Sequence, residues 1–115
     1  MPGMSLHVVD VARGKPATGM RVDIARLSPD PAPIATGTLA SDGTLHHAVT
    51  TTTLVPGTYE VIFHAGTFFA GSMPELTVPP FLDHVPFRFN LTDPTQHYHL
   101  PLKITPWGFS LYRGA

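Results

Sequence analysis

The segment QHYHLPLKITPWGFSLYRGA, running from Gln96 to Ala115, decides how the rest of this chain is to be read. Its first half alternates. Tyr98, Leu100, Leu102 and Ile104 fall on one side of an extended strand over 97–105, while His97, His99, Pro101, Lys103 and Thr105 fall on the other. The first set is a core stripe. The second places two imidazoles and an ammonium on one sheet face, an odd surface for a sheet to carry unless something polar binds there. Pro106 and Gly108 supply a tight turn, and Phe109 to Arg113 then alternates again, with Ser110 and Tyr112 on one face and Phe109 and Leu111 on the other.

The same period of two recurs upstream. Ser5 to Val11 reads as a strand with Leu6 and Val8 on one face and Ser5, His7 and Val9 on the other. Met20 to Leu27 turns Met20, Val22 and Ile24 inward, and Thr58 to His64 sets Tyr59, Val61 and Phe63 against Glu60 and Ile62. Val85, Phe87, Phe89 and Leu91 form the strongest strand signal. Ile34 to Ala40 is a weaker strand, and Thr44 to Thr53 is β-prone without a clear pattern. Gly14-Lys15-Pro16-Ala17, Ser41-Asp42-Gly43 and Val55-Pro56-Gly57 read as turns, whereas Ser28 to Pro33 is expected to be irregular because its three prolines remove three ladder donors. One short helix is predicted over Ala65 to Gly71, followed by a loop over 72–84. Seven or eight short strands with 13 prolines and 10 glycines predict an all-β chain, a two-sheet β-sandwich forming one domain over residues 1–115.

Composition narrows the function. There are no cysteines, so disulfides, thiolate metal sites and cysteine nucleophiles are all excluded. The formal charge is -1 and Lys and Arg are scattered singly, which argues against nucleic acid as a partner. No apolar run approaches the roughly 18 residues of a membrane span, and the first ten residues lack a signal-peptide pattern; a cytoplasmic protein with no membrane partner is expected. Only 13% of residues are charged, which predicts that part of the exterior is covered by a subunit interface.

Seven histidines remain to be sorted. His46, His47, His64 and His84 read as hydrogen-bonded structural residues. His7 and His99 differ, because each shares its strand face with other polar side chains. His97 and His99 lie two apart on a strand with no carboxylate on that face nearby, so no metal site is expected. No glycine-rich phosphate loop, nucleophile elbow or paired-carboxylate arrangement is visible, which leaves phosphoryl transfer and glycoside hydrolysis without support.

At two places the residues resemble a known family. His7-Val8-Val9-Asp10 with Gly14-Lys15-Pro16-Ala17 and Met20-Arg21-Val22 is similar to the amino-terminal signature of the transthyretin family. Tyr98-His99-Leu100-Pro101-Leu102, Thr105-Pro106-Trp107-Gly108-Phe109-Ser110 and Tyr112-Arg113-Gly114 resemble its carboxy-terminal signature. The histidine after Tyr98 and the ending Tyr-Arg-Gly are what separate its enzyme branch, the 5-hydroxyisourate hydrolases, from the hormone carriers. The resemblance covers essentially the whole chain. It implies a homotetramer, a dimer of dimers with edge-to-edge pairing and a central channel, acting on a small-molecule substrate without a cofactor. It implies catalysis by His7 and His99, with one imidazole as general base on water and the other helping to hold the oxyanion. Lys103, Arg113, Ser110, Tyr112 and Thr44 are the expected substrate-binding residues.

Two positions depart from the family pattern. Asp42-Gly43 is followed by Thr44 where the enzyme branch has arginine, and Ala115 stands where it ends in serine. Lys103 replaces a usual aliphatic residue on the face of His99, so the expectation is that it supplies the lost positive charge. The alternatives are a channel enzyme recruited to a different cyclic or secondary-metabolite substrate, and a non-catalytic carrier of a small aromatic ligand.

Overall fold

A computed structural model describes residues 2–114. Two four-stranded sheets pack face to face. The first has the order β2-β1-β7-β8, built from β1 (Gly3–Asp10), β2 (Lys15–Pro16), β7 (His97–Thr105) and β8 (Gly108–Leu111). The second has the order β4-β3-β5-β6, built from β3 (Arg21–Ser28), β4 (Ala32–Thr38), β5 (Gly57–Phe63) and β6 (Val85–Leu91). One helix, α1 (Ala65–Ser72), leads from β5 towards β6. The all-β sandwich of eight strands and one short helix agrees with the alternation of the sequence.

The core follows from that alternation. Met4, Leu6 and Val8 of β1 and Tyr98, Leu100, Leu102 and Ile104 of β7 are buried in one cluster with Val22, Ile24, Tyr59, Val61 and Phe63 of the other sheet. Each such side chain contributes about 1.5–3 kcal/mol on leaving water. Tyr59 also carries a hydroxyl into the core, and it donates to the Val55 carbonyl at 2.6 Å. Because the inward positions are apolar except for Asp10 at the end of β1, the outward positions of β1 and β7 are committed to the opposite surface of the first sheet. A one-residue slip would invert both sets.

Four local expectations need correction. Lys15 and Pro16 are not a free turn; they pair with Asp10 and Val9 as the short edge strand β2. Ala32 and Pro33 lie inside β4, which tolerates proline because it is an edge strand with a bulge where Ile24 pairs with Ala35 and Ala25 with Pro33. Thr44 to Thr53 forms no strand. Thr44 makes a single bridge to His7, and residues Ala48–Thr50 form a 3-10 turn whose first free N–H, that of Val49, is capped by His47 Nδ1 at 3.0 Å. Finally, β1 begins at Gly3, two residues before the expected start.

Candidate active site

The outward face of the first sheet gathers residues from both ends of the chain. β1 and β7 run parallel in a register that sets Gly3 beside His97, Ser5 beside His99, His7 beside Pro101 and Val9 beside Lys103. Residues paired across a ladder share a face, so Ser5, His7, His97, His99 and Lys103 all project from one surface. On the far side β8 sets Ser110 opposite Lys103, and the same register carried on brings Gly114 opposite His99. Tyr112 then falls opposite Pro101. The loop after β4 closes the other flank, where Thr44 bridges His7 and Val8 N–H donates to the Gly43 carbonyl at 3.0 Å.

Two glycines shape the imidazole sites. Gly43 has φ +80, and a Cβ there would meet the Val8 carbonyl oxygen at 2.7 Å and His7 Cδ2 at 3.2 Å. At Gly114 a Cβ would stand 2.8 Å from His99 Cδ2. Each imidazole therefore rests its Cδ2 edge against a residue without a side chain.

The polar contacts of the face converge on Ser5. Its Oγ lies 2.8 Å from His97 Nε2 and 2.7 Å from His99 Nδ1. His97 Nδ1 in turn lies 3.2 Å from the Pro2 carbonyl oxygen. Burial pushes the His99 pKa down, and the neighbouring His97 and His7 push it in the same direction. A neutral imidazole at neutral pH is what a general base requires.

The expected site residues divide by place. His7, His99, Lys103, Ser110, Tyr112 and Thr44 belong to one side of the sheet. Lys103 is exposed and forms no ion pair among the described residues. Thr44 is turned partly to its own loop: its N–H and hydroxyl both donate to Asp42 Oδ1, at 3.0 and 2.7 Å, which with His46 beside it holds the Asp42 carboxyl down to about 2. Arg113 is on the other side. Its guanidinium stacks over the Tyr98 ring at 4.1 Å and donates to Gln96 Oε1 at 2.9 Å, away from the imidazoles. Ala115 lies outside the described residues.

The sequence does not mark Ser5 and His97 as site residues, nor the two glycines for their contacts. Ser5 was legible as facing the same way as His7, but its placement between two imidazoles depends on the β1–β7 register, which pattern alone does not supply. The remaining histidines are each hydrogen-bonded within the chain, His46 to Asp42, His47 to the Val49 N–H and His84 to Thr67. His64 Nε2 and Asp23 Oδ2 are 2.7 Å apart on the second sheet, and the His64 and His84 rings lie 4.3 Å apart.

Two grooves lie away from this face. One of about 340 Å³ is lined by Arg21, His64, Thr67 and Phe68, and one of about 560 Å³ by Ile24, Ile34 and His47. Neither includes His7 or His99, whose face is a sheet surface without walls of its own chain on every side.

The model of the HIUase/Transthyretin family matches residues 4–114. The 5-hydroxyisourate hydrolase of Deinococcus radiodurans is 44% identical over 116 residues, covering 99% of this chain and 97% of that protein. Among solved structures, Klebsiella pneumoniae 5-hydroxyisourate hydrolase superposes with a TM-score of 0.83 at 27% identity over 100% of both chains. An (S)-allantoin synthase superposes with a TM-score of 0.88 at 35% identity, over 98% of this chain and 43% of that one. Fold, signature segments and relatives agree, and the chain belongs to the HIUase/Transthyretin family.

Proposed function

We propose that this chain is a hydrolase that opens the cyclic amide of 5-hydroxyisourate to 2-oxo-4-hydroxy-4-carboxy-5-ureidoimidazoline, in the breakdown of urate. The observation that carries the reading is the placing of His7 and His99 on one open sheet face, with the His99 pKa pushed down by burial and by two like neighbours. His99 Nε2 has no hydrogen-bond partner among the described residues. It takes a proton from water as the water oxygen attacks the amide carbonyl carbon, and the charge that develops on the carbonyl oxygen is met by His7 and Lys103. The carbon–nitrogen bond then breaks and the proton on His99 passes to the leaving nitrogen. Hydrolysis is balanced by one water, and no cofactor enters.

Pro101 lies between these groups, beside His7 in the ladder. His99 and Lys103 are four residues apart, about 13 Å along a strand. The two side chains reach in from either side of Pro101, so that the attacked carbonyl of a flat bicyclic substrate seated there meets the base on one side and the ammonium on the other. Lys103 takes over the positive charge that the family arginine would have brought to position 44, while Ser110, Tyr112 and Thr44 border the seat. Arg113 binds substrate only by leaving Tyr98; held as it is, it braces the segment that delivers Gly114.

The site is completed by further copies of the chain, in a cytoplasmic homotetramer. Supporting this are the missing walls of the imidazole face and the apolar groups exposed around β8: Trp107 is 61%, Phe109 50% and Tyr112 49% exposed. A second reading keeps the chemistry and changes the ring: Thr44 in place of a guanidinium favours a different cyclic amide as substrate.

The test is the decay of ultraviolet absorbance of freshly generated 5-hydroxyisourate with and without the protein. Accelerated decay that His99→Ala abolishes supports the hydrolase. Decay at the uncatalysed rate in the presence of intact protein refutes it.

A further inference from the structure

The hydrogen bonds around Ser5 leave little choice about where the protons are. The Pro2 carbonyl oxygen only accepts, so His97 Nδ1, 3.2 Å away, is the donor. A neutral imidazole carries one N–H, so His97 Nε2 is an acceptor. The atom facing it at 2.8 Å is Ser5 Oγ, whose single proton is thereby committed to His97. Ser5 Oγ must then accept from its other neighbour, His99 Nδ1 at 2.7 Å. That uses the one proton of neutral His99. Its Nε2 is left bare.

From this we infer that Ser5 and His97 are positioning residues which fix His99 in the Nδ1–H tautomer and so create the basic Nε2 atom. The inference rests on the reading of His99 as the general base. Polar order runs from a backbone carbonyl near the start of the chain, through His97 and Ser5, to the base: Ser5 and His99 are direct partners in the β1–β7 ladder, His97 lies one diagonal step from Ser5, and Pro2 precedes Gly3, the ladder partner of His97. Direction is set at the far end. With no acceptor at position 97, the Ser5 hydroxyl is free to donate to His99 Nδ1, which moves the imidazole proton to Nε2 and blocks proton abstraction there.

Gly114 adds to the constraint. With its α-carbon set against the Cδ2 edge of His99 and its N–H donating to the His99 carbonyl at 2.7 Å, the ring is packed on the edge next to Nε2 and bonded on the edge bearing Nδ1. Both the tautomer and the ring orientation of the base are therefore built into the resting protein.

The experiment is a long-range proton–nitrogen NMR spectrum of the full chain labelled with ¹⁵N-histidine, without substrate, at a pH well above the ordinary imidazole range. In the wild type His99 Nδ1 is expected at the protonated, pyrrole-like nitrogen position and Nε2 at the unprotonated one. His97→Phe is expected to exchange the two and to lower kcat on the order of 10- to 100-fold with a smaller change in KM; Ser5→Thr, which keeps the hydroxyl, is expected to retain the wild-type pattern. A wild-type spectrum with His99 protonated at Nε2 overturns the inference, and it does so even if no variant folds. A His97→Phe spectrum unchanged at His99 overturns it equally. Because no substrate is present, a failure of hydrolysis and a failure of the tautomer are read separately.

Discussion

Gly114 stands opposite His99 across the edge of the β7–β8 ladder, so close that a Cβ at position 114 would lie 2.8 Å from His99 Cδ2 and 3.3 Å from Pro101 Cδ. No left-handed backbone is involved here. The glycine is needed for space beside an imidazole. Gly114→Ala is expected to rotate His99 or to part the terminal bridge, either of which misplaces the base. Errors of about 1 Å at a reacting group cost up to about 100-fold, so kcat is expected to fall 10- to 100-fold. The midpoint of urea unfolding should hardly move, because the strain falls on a half-exposed ring at the sheet edge. Steady-state kinetics beside a urea titration checks both halves.

Why Gly114 matters was hidden in the sequence, and the reason is general to this fold. The alternation of Tyr98, Leu100, Leu102 and Ile104 declared which face of β7 is core, and with it the shared outward direction of His97, His99 and Lys103. Likewise β1 declared His7 and Ser5. What alternation lacks is the partner of each strand. That β1 lies beside β7, parallel and with Ser5 at His99, is a contact across more than ninety residues, fixed by packing of the whole core. Arg113 shows the complementary limit. A signature segment assigned it to the site, but its place in the register, opposite Leu100, turns it to the Tyr98 side. Local surprises had local causes: Pro33 sits in β4 because an edge strand spares the missing donor, and the threonine-rich stretch after Thr44 gave way to a 3-10 turn once His47 capped it.

Acid inactivation is expected below the usual imidazole range. His99 is pushed down first by burial, then by His97 and His7. Also facing its surroundings are Lys103 further along β7, Thr44 with the Asp42–His46 pair on the loop beside β1, and Ser110 and Tyr112 from β8; Arg113 lies behind the sheet. A base must be neutral, so kcat/KM should hold as pH falls through about 6.5, the unperturbed value, and decline only at lower pH. The stability sign follows from the same shift. Above about 6.5 both folded and unfolded chains carry neutral His99; below it the unfolded chain binds the proton first, so the His99 contribution to stability is lost as pH falls towards the folded-state pKa. A kcat/KM profile with its acid limb above the unperturbed value would contradict this.

Arg13 is expected to matter for folding although it is remote from the imidazoles. Asp10 is fully buried at the end of β1, and its carboxylate accepts from Arg13 Nε at 2.7 Å and from the Arg13 N–H at 3.2 Å. The guanidinium also donates to the Ser72 carbonyl at 3.4 Å and lies over Phe68, so it joins the turn after β1 to α1. Arg13→Ala strips a buried carboxylate of its counter-charge, and the cost of such a loss is about 3 kcal/mol. Chemical denaturation should show a drop of about that size. Arg13→Lys should recover only part of it, since an ammonium lacks the planar fork. A change under about 0.5 kcal/mol for Arg13→Ala would mean that the Asp10 carboxylate is satisfied without it.

Lys103 and Thr44 give the sharpest test of how this member of the family manages without the arginine. Lys103 lies opposite Ser110, beside Val9, and one diagonal step from His7; Thr44 bridges His7 from the other flank. Both positions therefore border the same imidazole. If a cation is required there, Lys103→Met should lower kcat/KM on the order of 10- to 100-fold, in line with the loss of one charged donor to an oxyanion. Thr44→Arg in that background should restore much of it, and in the wild type should add less, because one positive charge already serves the seat. The substitution also removes the Thr44 hydroxyl from Asp42, whose pKa should rise from about 2 while the exposed turn keeps its backbone bond at 3.0 Å. A double-mutant cycle on kcat/KM measures the coupling. Coupling near zero, or a Lys103→Met enzyme as fast as the wild type, would leave Lys103 as a solvent-exposed residue of the sheet face and would move the search for the oxyanion's partner to His7 alone.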